Sequence, residues 1–449
     1  MSQLMVSISG IRGEIGSTLT PEVIHKYTAA FGSYVKGGKV ILGRDSRVSG
    51  PFISNIVKGT LVASGCHVID IGIVPTPTVQ LEVEYHNADG GIAITASHNP
   101  IQWNGLKFMG SNGRFLAPEE ADKVFEMADK SEFNYNKWSD LGREHLDAEA
   151  IARHIDKVLN INYVDKEALQ KRRFKVVVDT VNGAGGVIIP ELLKALNCEV
   201  VAINQEPTGK FAHTPEPLAE NLKQLGDAVC SNKADIGFAI DPDADRCAIV
   251  DNQGVPLGEE YTLVIAVNLI LMKKMGRVVV NMSTSRASED IARYYNCMFM
   301  RSKVGEINVA EKMVELDAII GGEGNGGVIL PEVHLGRDAP VAVALTLQHL
   351  VEFGGTIREL RDSLPQYVMV KQKVNIEGLH PDNVLKAISE KHKAQKINFL
   401  DGVKIDFEDS WVHLRKSNTE PIIRVISEAP TETEAQELGA QFMKEISNL

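Results

Sequence analysis

The feature of this chain that most constrains its fold is a strand pattern that occurs three times. In each copy an apolar run typical of a buried strand ends in a polar loop, and two further runs follow at helix-length intervals. The first runs are 39–46, 175–183 and 277–285, the second begin at 67, 198 and 297, and the third are 91–100, 235–246 and 317–327. The pattern predicts α/β units in which helices join parallel strands, with ligand sites outside the carboxyl ends of those strands.

The flanking segments predict helices and one domain of a different kind. Thr20 and Pro21 are a suitable N-cap and first residue for a helix with apolar spacing near 3.6. Residues 371–449 instead contain short alternating strands and a final amphipathic helix with a cap-like start at 431–434, which predicts an α+β unit with a mostly antiparallel sheet. The polar stretch 130–147 indicates a surface helix and linker.

Charge and composition exclude several function classes. The 59 acidic and 47 basic residues give a net charge of −12, which argues against nonspecific binding to nucleic acid or to an anionic membrane. The five cysteines include no C-x-x-C pair, so neither a zinc knuckle nor a disulfide framework is expected. The start of the chain lacks a signal-peptide pattern, and the longest apolar stretch, 261–272, is short enough to predict a buried helix. We expect a cytoplasmic protein.

The loop DPDADR at 241–246 predicts a metal site. Its carboxylates alternate at Asp241, Asp243 and Asp245, and alternate side chains of an extended segment point the same way. Hard carboxylate oxygens suit Mg²⁺. An EF-hand is excluded because Arg246 and Asn252 stand where its glycine and glutamate belong, whereas a solvated acidic turn stays an alternative.

The loop TASHNP at 95–100 places Ser97 and His98 at the end of a buried strand. A hydroxyl in that position is a candidate nucleophile or phosphate carrier, which His98 would orient or assist by donating to a phosphoryl oxygen. The alternative is an ordinary Ser/Asn/Pro turn. The flanking residues exclude the G-x-S-x-G elbow of the α/β-hydrolases. Lys107 follows closely enough in sequence to reach the same site.

Two further loops have the chemistry of sugar and phosphate binding. The glycine-rich segment 322–327 offers Glu323 and Asn325, which suit adjacent sugar hydroxyls, although a flexible hairpin is the alternative. It matches neither a P-loop nor a dinucleotide-binding motif. The segment 415–424 resembles an anion nest, against the alternative of a solvated turn, and its candidate phosphate ligands are Arg415, Ser417, Asn418, Thr419 and Arg424.

Together these loops predict phosphoryl transfer on a sugar phosphate through a phosphoserine, and their residues resemble one family. The motifs SGIRG, GRDSRVSG, TASHNP, DPDADR, KVGE, GEGNGG and RKSNTEP occur in the order of the α-D-phosphohexomutase family. The resemblance implies three similar α/β mixed-sheet domains and a C-terminal α+β domain around a central cleft. We place the phosphoserine, metal-binding, sugar-binding and phosphate-binding domains at 1–155, 156–255, 256–370 and 371–449.

The resemblance also implies a role for each site residue. Ser97 would be phosphorylated and would bind Mg²⁺ together with the three aspartates. Arg12 and Lys107 would lie near the transferring phosphate, with Lys107 a candidate acid/base, and Arg246 would offset charge there. Lys303 and Gly305 would sense the orientation of the sugar, Glu323 and Asn325 would bind its hydroxyls, and the 415–419 loop would hold the other phosphate.

The substrate expected from the loops is glucosamine 6-phosphate, converted to glucosamine 1-phosphate through a bisphosphate, because TEPIIRV and GEGNGG look closest to phosphoglucosamine mutase-like members. A phosphoglucomutase/phosphomannomutase is the alternative. The rivals from other classes are a hydrolase that uses Ser97 and Mg²⁺, as in alkaline-phosphatase chemistry, and a non-catalytic sugar-phosphate sensor. Hexose 1,6-bisphosphate is the expected activator. Gly327 departs from the family, in which many members carry His at this position. The expected partner is a phosphorylated hexose or hexosamine, bound by a monomer or homodimer.

Overall fold

The structure is a computed structural model and describes residues 3–417 and 421–449. Four β-sheets follow one another along the chain. The first unit comprises the seven strands of the first sheet and the helices between them: β1 (Met5–Ser7), β2 (Gly10–Glu14), α1 (Pro21–Tyr34), β3 (Lys39–Arg44), α2 (Gly50–Ala63), β4 (His67–Ile73), α3 (Thr76–Tyr85), β5 (Gly90–Ile94), β6 (Trp103–Gly110), α4 (Pro118–Lys130) and β7 (Arg143–Leu146).

The second and third sheets follow. The second unit comprises α5 (Ala150–Leu159), α6 (Lys166–Arg172), β8 (Lys175–Asp179), α7 (Ile189–Ala195), β9 (Glu199–Ile203), α8 (Lys223–Asn232), β10 (Ile236–Ile240) and β11 (Cys247–Val250). The third comprises α9 (Glu260–Lys273), β12 (Arg277–Asn281), α10 (Ala287–Tyr294), β13 (Phe299–Ser302), α11 (Glu306–Leu316), β14 (Ala318–Glu323), β15 (Gly327–Ile329), α12 (Ala339–Phe353) and α13 (Ile357–Asp362).

The threefold repeat is confirmed in the order of the strands. Each of these sheets contains a run of four neighbours, β4-β3-β5-β6, β9-β8-β10-β11 and β13-β12-β14-β15. The first three strands of every run are parallel, and the fourth is antiparallel to its neighbour. The three chemistry-bearing loops therefore follow β5, β10 and β14 at the carboxyl ends of equivalent strands.

The fourth unit is the predicted α+β domain. It contains β16 (Val368–Asn375), α14 (Pro381–Lys391), β17 (Lys396–Asn398), β18 (Val403–Asp406), β19 (Trp411–Lys416), β20 (Ile422–Ala429) and α15 (Glu432–Ser447). Its strand order is β16-β20-β19-β18-β17, and every pair is antiparallel. Val384, Phe442 and Ile446 of the two helices pack with the sheet in one apolar core.

Local sequence signals explain where several helices begin. The Thr20 hydroxyl accepts from the backbone N–H of Val23, as expected of an N-cap. Thr431 and Glu434 form a reciprocal capping box at the start of α15. The apolar segment 261–272 forms most of α9, which lies in a core that the second and third units share. Within the described residues, every helix is too short or too polar to cross a membrane.

The interpretation of 130–147 as a surface helix and linker is wrong in part. Only a 3₁₀ turn, Trp138–Asp140, forms there, and the chain then enters β7, which pairs parallel with β4 at the edge of the sheet. All four residues of β7 are exposed, so this edge strand lacks the apolar alternation that reveals a half-buried strand. The residue limits of the domains stay predictions, and those at 155 and 370 would cut α5 and β16.

Candidate active site

Ser97 is held in a buried turn directly after β5. Its backbone has φ +50°, a left-handed conformation that side-chain-bearing residues seldom adopt. The Ser97 N–H donates to the hydroxyl oxygen of Thr95 at 2.8 Å, which ties the turn to the end of the strand. The Ser97 hydroxyl lies 3.2 Å from Asp241 Oδ2 and 3.3 Å from His98 Nδ1. The turn therefore presents one hydroxyl to a carboxylate and an imidazole.

Arg47 stabilises this turn, and our sequence reasoning gave it no role. Its guanidinium is fully buried and pairs with Asp45 at 3.1 Å. At 2.6 to 2.9 Å it also donates to the backbone carbonyls of Ser97, Asn99, Pro100 and Trp103. Asp45 in turn accepts from the Thr95 hydroxyl at 2.6 Å. The Asp–x–Arg after a buried strand was the available signal, because buried charges require partners.

We expect Arg47→Met to destabilise the Ser97 turn by about 3–5 kcal/mol, because it leaves the Asp45 carboxylate buried without its cation. Hydrogen exchange of the β5 amides would measure this loss as a lower free energy of opening. The double variant Asp45→Asn/Arg47→Met carries no unpaired charge and should recover part of the loss. Equal losses in the single and double variants would contradict this account.

The three aspartates of the 241–246 loop form a buried carboxylate cluster. One oxygen from each of Asp241, Asp243 and Asp245 lies within 4.8 Å of the others. Asp243 Oδ1 and Asp245 Oδ1 are buried without a hydrogen-bond partner. Three converging aspartates, two of which keep a buried oxygen without a hydrogen-bond partner, and no histidine among them fit a hard divalent cation such as Mg²⁺. The triad could therefore hold a metal ion.

Lys107 supplies a positive charge beside this cluster. Its ammonium, on β6, lies 2.6 Å from Asp243 Oδ2 and 3.6 Å from Asp245 Oδ2. Burial alone would raise the pKa of Asp243, but Lys107 and the Thr76 hydroxyl outweigh it and hold that pKa well below the usual range. Burial and the two neighbouring aspartates raise the pKa of Asp241. The three carboxylates therefore have unequal electrostatic environments.

His98, Arg12 and Arg246 surround the same hydroxyl. Burial, with Arg246 and Arg12 nearby, lowers the pKa of His98 to about 2, so its imidazole is neutral. Arg12, on β2, donates to Asn99 Oδ1 at 3.3 Å. Arg246 is buried, and its guanidinium lies 3.6 Å from Asp245 Oδ1. The structure thus brings together all the residues expected around the transferring phosphate.

The candidate sugar-binding loop, 322–327, which is called the sugar loop below, connects β14 and β15. The Glu323 carboxylate is buried and accepts from Asn281 Nδ2 and from the backbone N–H of Gly305, both at 2.8 Å. The Asn325 amide oxygen is buried without a hydrogen-bond partner, which suits a hydroxyl donor. The hairpin that was the alternative interpretation is present as the β14–β15 pairing, and it carries the candidate ligands.

Arg337 bridges the sugar loop and the aspartate-containing loop 241–246, which is called the metal loop below. No sequence signal indicated this role for Arg337. It lies between β15 and α12 and donates to Asp245 Oδ2 at 2.5 Å, Glu323 Oε2 at 2.6 Å and Glu306 Oε2 at 3.1 Å. Burial raises the pKa of Glu306 to about 7, although Arg337 opposes this shift. A lone arginine before a helix N-cap is common in sequences, so only tertiary contacts reveal it.

The candidate phosphate-binding loop, 415–424, is described only in part. Arg415 and Arg424 are paired directly across β19 and β20, and Lys373 of β16 faces Arg424 on its other side. Like charges placed side by side on one face of a sheet repel, so this basic row suits an anion. Ser417 follows at the end of β19, where its N–H donates to Ile422 O. Asn418 and Thr419 lie outside the described residues.

Asp401 connects this loop to the segment that carries Lys303 and Gly305. Asp401 Oδ2 accepts from the Val304 N–H at 2.9 Å and lies 3.1 Å from Arg415 Nε. The Lys303 side chain is exposed. Contacts therefore run from Arg415 through Asp401 to Val304, and from the adjacent Gly305 to Glu323, Arg337 and the 241–246 loop. The arrangement brings together a candidate nucleophile, a candidate cation site, candidate ligands for hydroxyl groups and a candidate anion site.

Comparisons with known proteins agree with this chemistry. Four family models together match most of the chain. Their descriptions are phosphoglucomutase/phosphomannomutase alpha/beta/alpha domains I, II and III and the C-terminal domain of the same family. They cover residues 4–135, 152–254, 258–367 and 369–445.

Three individual proteins illustrate the similarity. A "Phosphoglucomutase/phosphomannomutase" of Thermococcus kodakarensis is 41% identical, with 97% of each chain covered. A "Probable phosphoglucosamine mutase" of Methanopyrus kandleri is 36% identical, covering 97% of this chain and 96% of its own. The crystal structure of a phosphoglucomutase/phosphomannomutase family protein from Burkholderia thailandensis has a TM-score of 0.86 at 25% identity, over 99% of this chain and 98% of that one. The chain belongs to the α-D-phosphohexomutase family of sugar-phosphate mutases and is an enzyme of that kind.

Proposed function

We propose that this mutase interconverts the 6-phosphate and the 1-phosphate of a hexosamine or hexose through a phosphoserine at Ser97. The observation that supports this proposal is the single hydroxyl of Ser97, buried 3.2 Å from one carboxylate of the triad. Hydrolases that use a serine and metal ions in the manner of alkaline phosphatase have histidine among their metal ligands, whereas the cluster here consists of three aspartates. A sensor would need neither the nucleophile nor the buried triad.

In the proposed reaction the bond between phosphorus and Ser97 Oγ breaks, and a bond forms to the free hydroxyl of the sugar phosphate. The product is a 1,6-bisphosphate, whose other phosphoryl group then returns to Ser97. In this second step Ser97 Oγ loses its proton. His98 Nδ1 and Asp241 Oδ2 both lie within 3.3 Å of Ser97 Oγ and can accept that proton. We assign to Lys107 the proton relay of the first step, in line with the family resemblance: its ammonium gives a proton to Ser97 Oγ as the bond to phosphorus breaks, and the amine that remains takes the proton of the sugar hydroxyl.

The positive groups of the site would offset charge on the transferring phosphoryl group. Arg12, Arg246 and Lys107 lie around Ser97 and the triad. Mg²⁺ held by the three aspartates and an oxygen on Ser97 would supply further charge stabilisation there. Arg47 keeps the Ser97 turn in place through the four carbonyls that it binds.

The non-transferring phosphate would bind the basic row of Arg415 and Arg424, together with Ser417 and the neighbouring Asn418 and Thr419. The sugar must then bind in two orientations, since either phosphate has to reach Ser97. Glu323 and Asn325 would bind its hydroxyls in both. A free hexose 1,6-bisphosphate would phosphorylate Ser97 directly, so we propose it as the activator.

The substrate has two candidates. The TEPIIRV and GEGNGG loops favour glucosamine phosphate, whereas the 41% identical relative is named for glucose and mannose phosphates. We expect a higher kcat/KM for glucosamine 1-phosphate than for glucose or mannose 1-phosphate in parallel coupled assays. Because the sugars differ only around C2, we also expect turnover of the others. A preference for glucose 1-phosphate would reverse the substrate assignment and leave the mutase proposal intact.

Mutase turnover is the experiment that tests the proposed function as a whole. Conversion of any of these 1-phosphates to its 6-phosphate, stimulated by a trace of hexose 1,6-bisphosphate, is the expected result. Release of inorganic phosphate without isomerisation would instead indicate a hydrolase.

The cytoplasmic location, the absence of nucleic-acid and membrane partners, and the monomeric or homodimeric state stay predictions from the sequence.

A further inference from the structure

Arg337 binds carboxylates that belong to separate parts of the site. Asp245 is in the metal loop after β10, Glu323 ends β14, and Glu306 begins α11 next to Gly305. A guanidinium is planar and donates in fixed directions, so each of its nitrogens sets the position of one carboxylate. Arg337 therefore contacts the metal loop and the sugar loop at the same time.

The hydrogen bond to Asp245 selects which of its oxygens is left for a cation. Arg337 occupies Asp245 Oδ2, whereas Oδ1 is buried without a hydrogen-bond partner and has the Arg246 guanidinium 3.6 Å away. The same guanidinium holds Glu323 Oε2, while the other oxygen of Glu323 accepts from Asn281 and Gly305. Arg337 thus orients a proposed metal ligand and a proposed sugar ligand simultaneously.

Gly327 leaves the space that the Arg337 side chain fills. A Cβ atom added at Gly327 would lie 2.2 Å from Arg337 Cδ and 2.9 Å from its Cγ. The backbone of Gly327 is outside the left-handed region, so backbone conformation does not demand glycine here. Glycine is required at 327 because the neighbouring Arg337 side chain occupies the position that a Cβ atom would take. A side chain at 327 and Arg337 in its present position exclude each other.

We propose that Arg337 is a positioning residue that fixes the metal loop and the sugar loop relative to each other. Gly327 is required for this role because it leaves space for the Arg337 side chain. The inference rests on the proposed function for the roles of the two loops. The pair Gly327 and Arg337 places a basic group beside the sugar loop.

A double-mutant cycle tests the pair. Gly327→Ala should lower kcat/KM by about 100-fold, because it displaces Arg337 by an ångström or more. In the Arg337→Ala background the same change should alter kcat/KM by less than about threefold, since its obstacle is gone. Equal effects of Gly327→Ala in both backgrounds would overturn the proposal.

The functional role of Arg337 needs a readout that a structural ion pair would not move. Arg337→Ala should both raise KM and lower kcat per folded molecule, since it releases Glu323 and Asp245 together. Unchanged kcat and KM in the fraction that remains folded would show a structural role alone and would overturn the inference.

Direct cation binding separates this inference from the proposed function. Arg337→Lys keeps the charge but loses the three fixed directions, so calorimetry with Mn²⁺ should show a dissociation constant about 10-fold higher than that of the unchanged protein. A value within twofold would overturn the inference. If the unchanged protein binds Mn²⁺ but isomerises no sugar phosphate, the proposed function fails, and this titration still decides the role of Arg337.

Discussion

Ser97→Ala is expected to abolish mutase turnover, because the alanine side chain has no oxygen to carry the phosphoryl group. Intact-protein mass spectrometry should show one extra phosphate on part of the unchanged protein and none on the variant. Binding of the sugar phosphate should persist, since Arg415 and Arg424 lie on another sheet. The fold should tolerate the change, which removes one hydroxyl worth about 1 kcal/mol.

Ser46 provides a matched control for this experiment. It is also buried, lies in the neighbouring loop, and donates its hydroxyl to Asn182 O at 2.7 Å. Ser46→Ala should therefore keep both the phosphate and the turnover. Phosphate that persists in Ser97→Ala, or turnover that survives in it, would rule out the phosphoserine mechanism and require another carrier.

Asp243→Asn should weaken Mg²⁺ binding and lower kcat at least about tenfold, because it removes one negative charge from the triad. Asp243 is fully buried and pairs with Lys107 at 2.6 Å, so the substitution also leaves a buried ammonium with a weaker partner. We therefore expect a loss of stability of about 3 kcal/mol as well, typical of a broken buried pair. Calorimetry with Mg²⁺ and urea unfolding measure the two effects separately.

Asp251→Asn is the control for the metal prediction. Asp251 is buried at the end of β11, and one of its oxygens accepts from the N–H groups of Gln253 and Val255 in a turn. This variant should bind Mg²⁺ as the unchanged protein does, even where it is less stable. Full mutase activity in EDTA would contradict a metal role for the triad.

Most elements of the three α/β units were predictable because their signals are local. Buried parallel strands have continuous apolar runs, and Thr20 and Thr431 are N-cap residues whose hydrogen bonds span three residues. The edge strand β7 was missed because it is exposed on both faces and has no apolar pattern. Pairing with β4, a distant segment, is what makes it a strand.

The candidate site follows the same division. The repeat and the chemical character of each loop are evident in the amino-acid sequence, and the repeat predicts that these loops lie at equivalent strand ends. The residues that hold the loops in place are evident only from three-dimensional contacts. Arg47 binds four backbone carbonyls, Arg337 binds three carboxylates, and Gly327 leaves room for the Arg337 side chain. Apart from Asp45, which is two residues from Arg47, the partners of these guanidinium groups come from distant segments, so the sequence around each arginine does not indicate them.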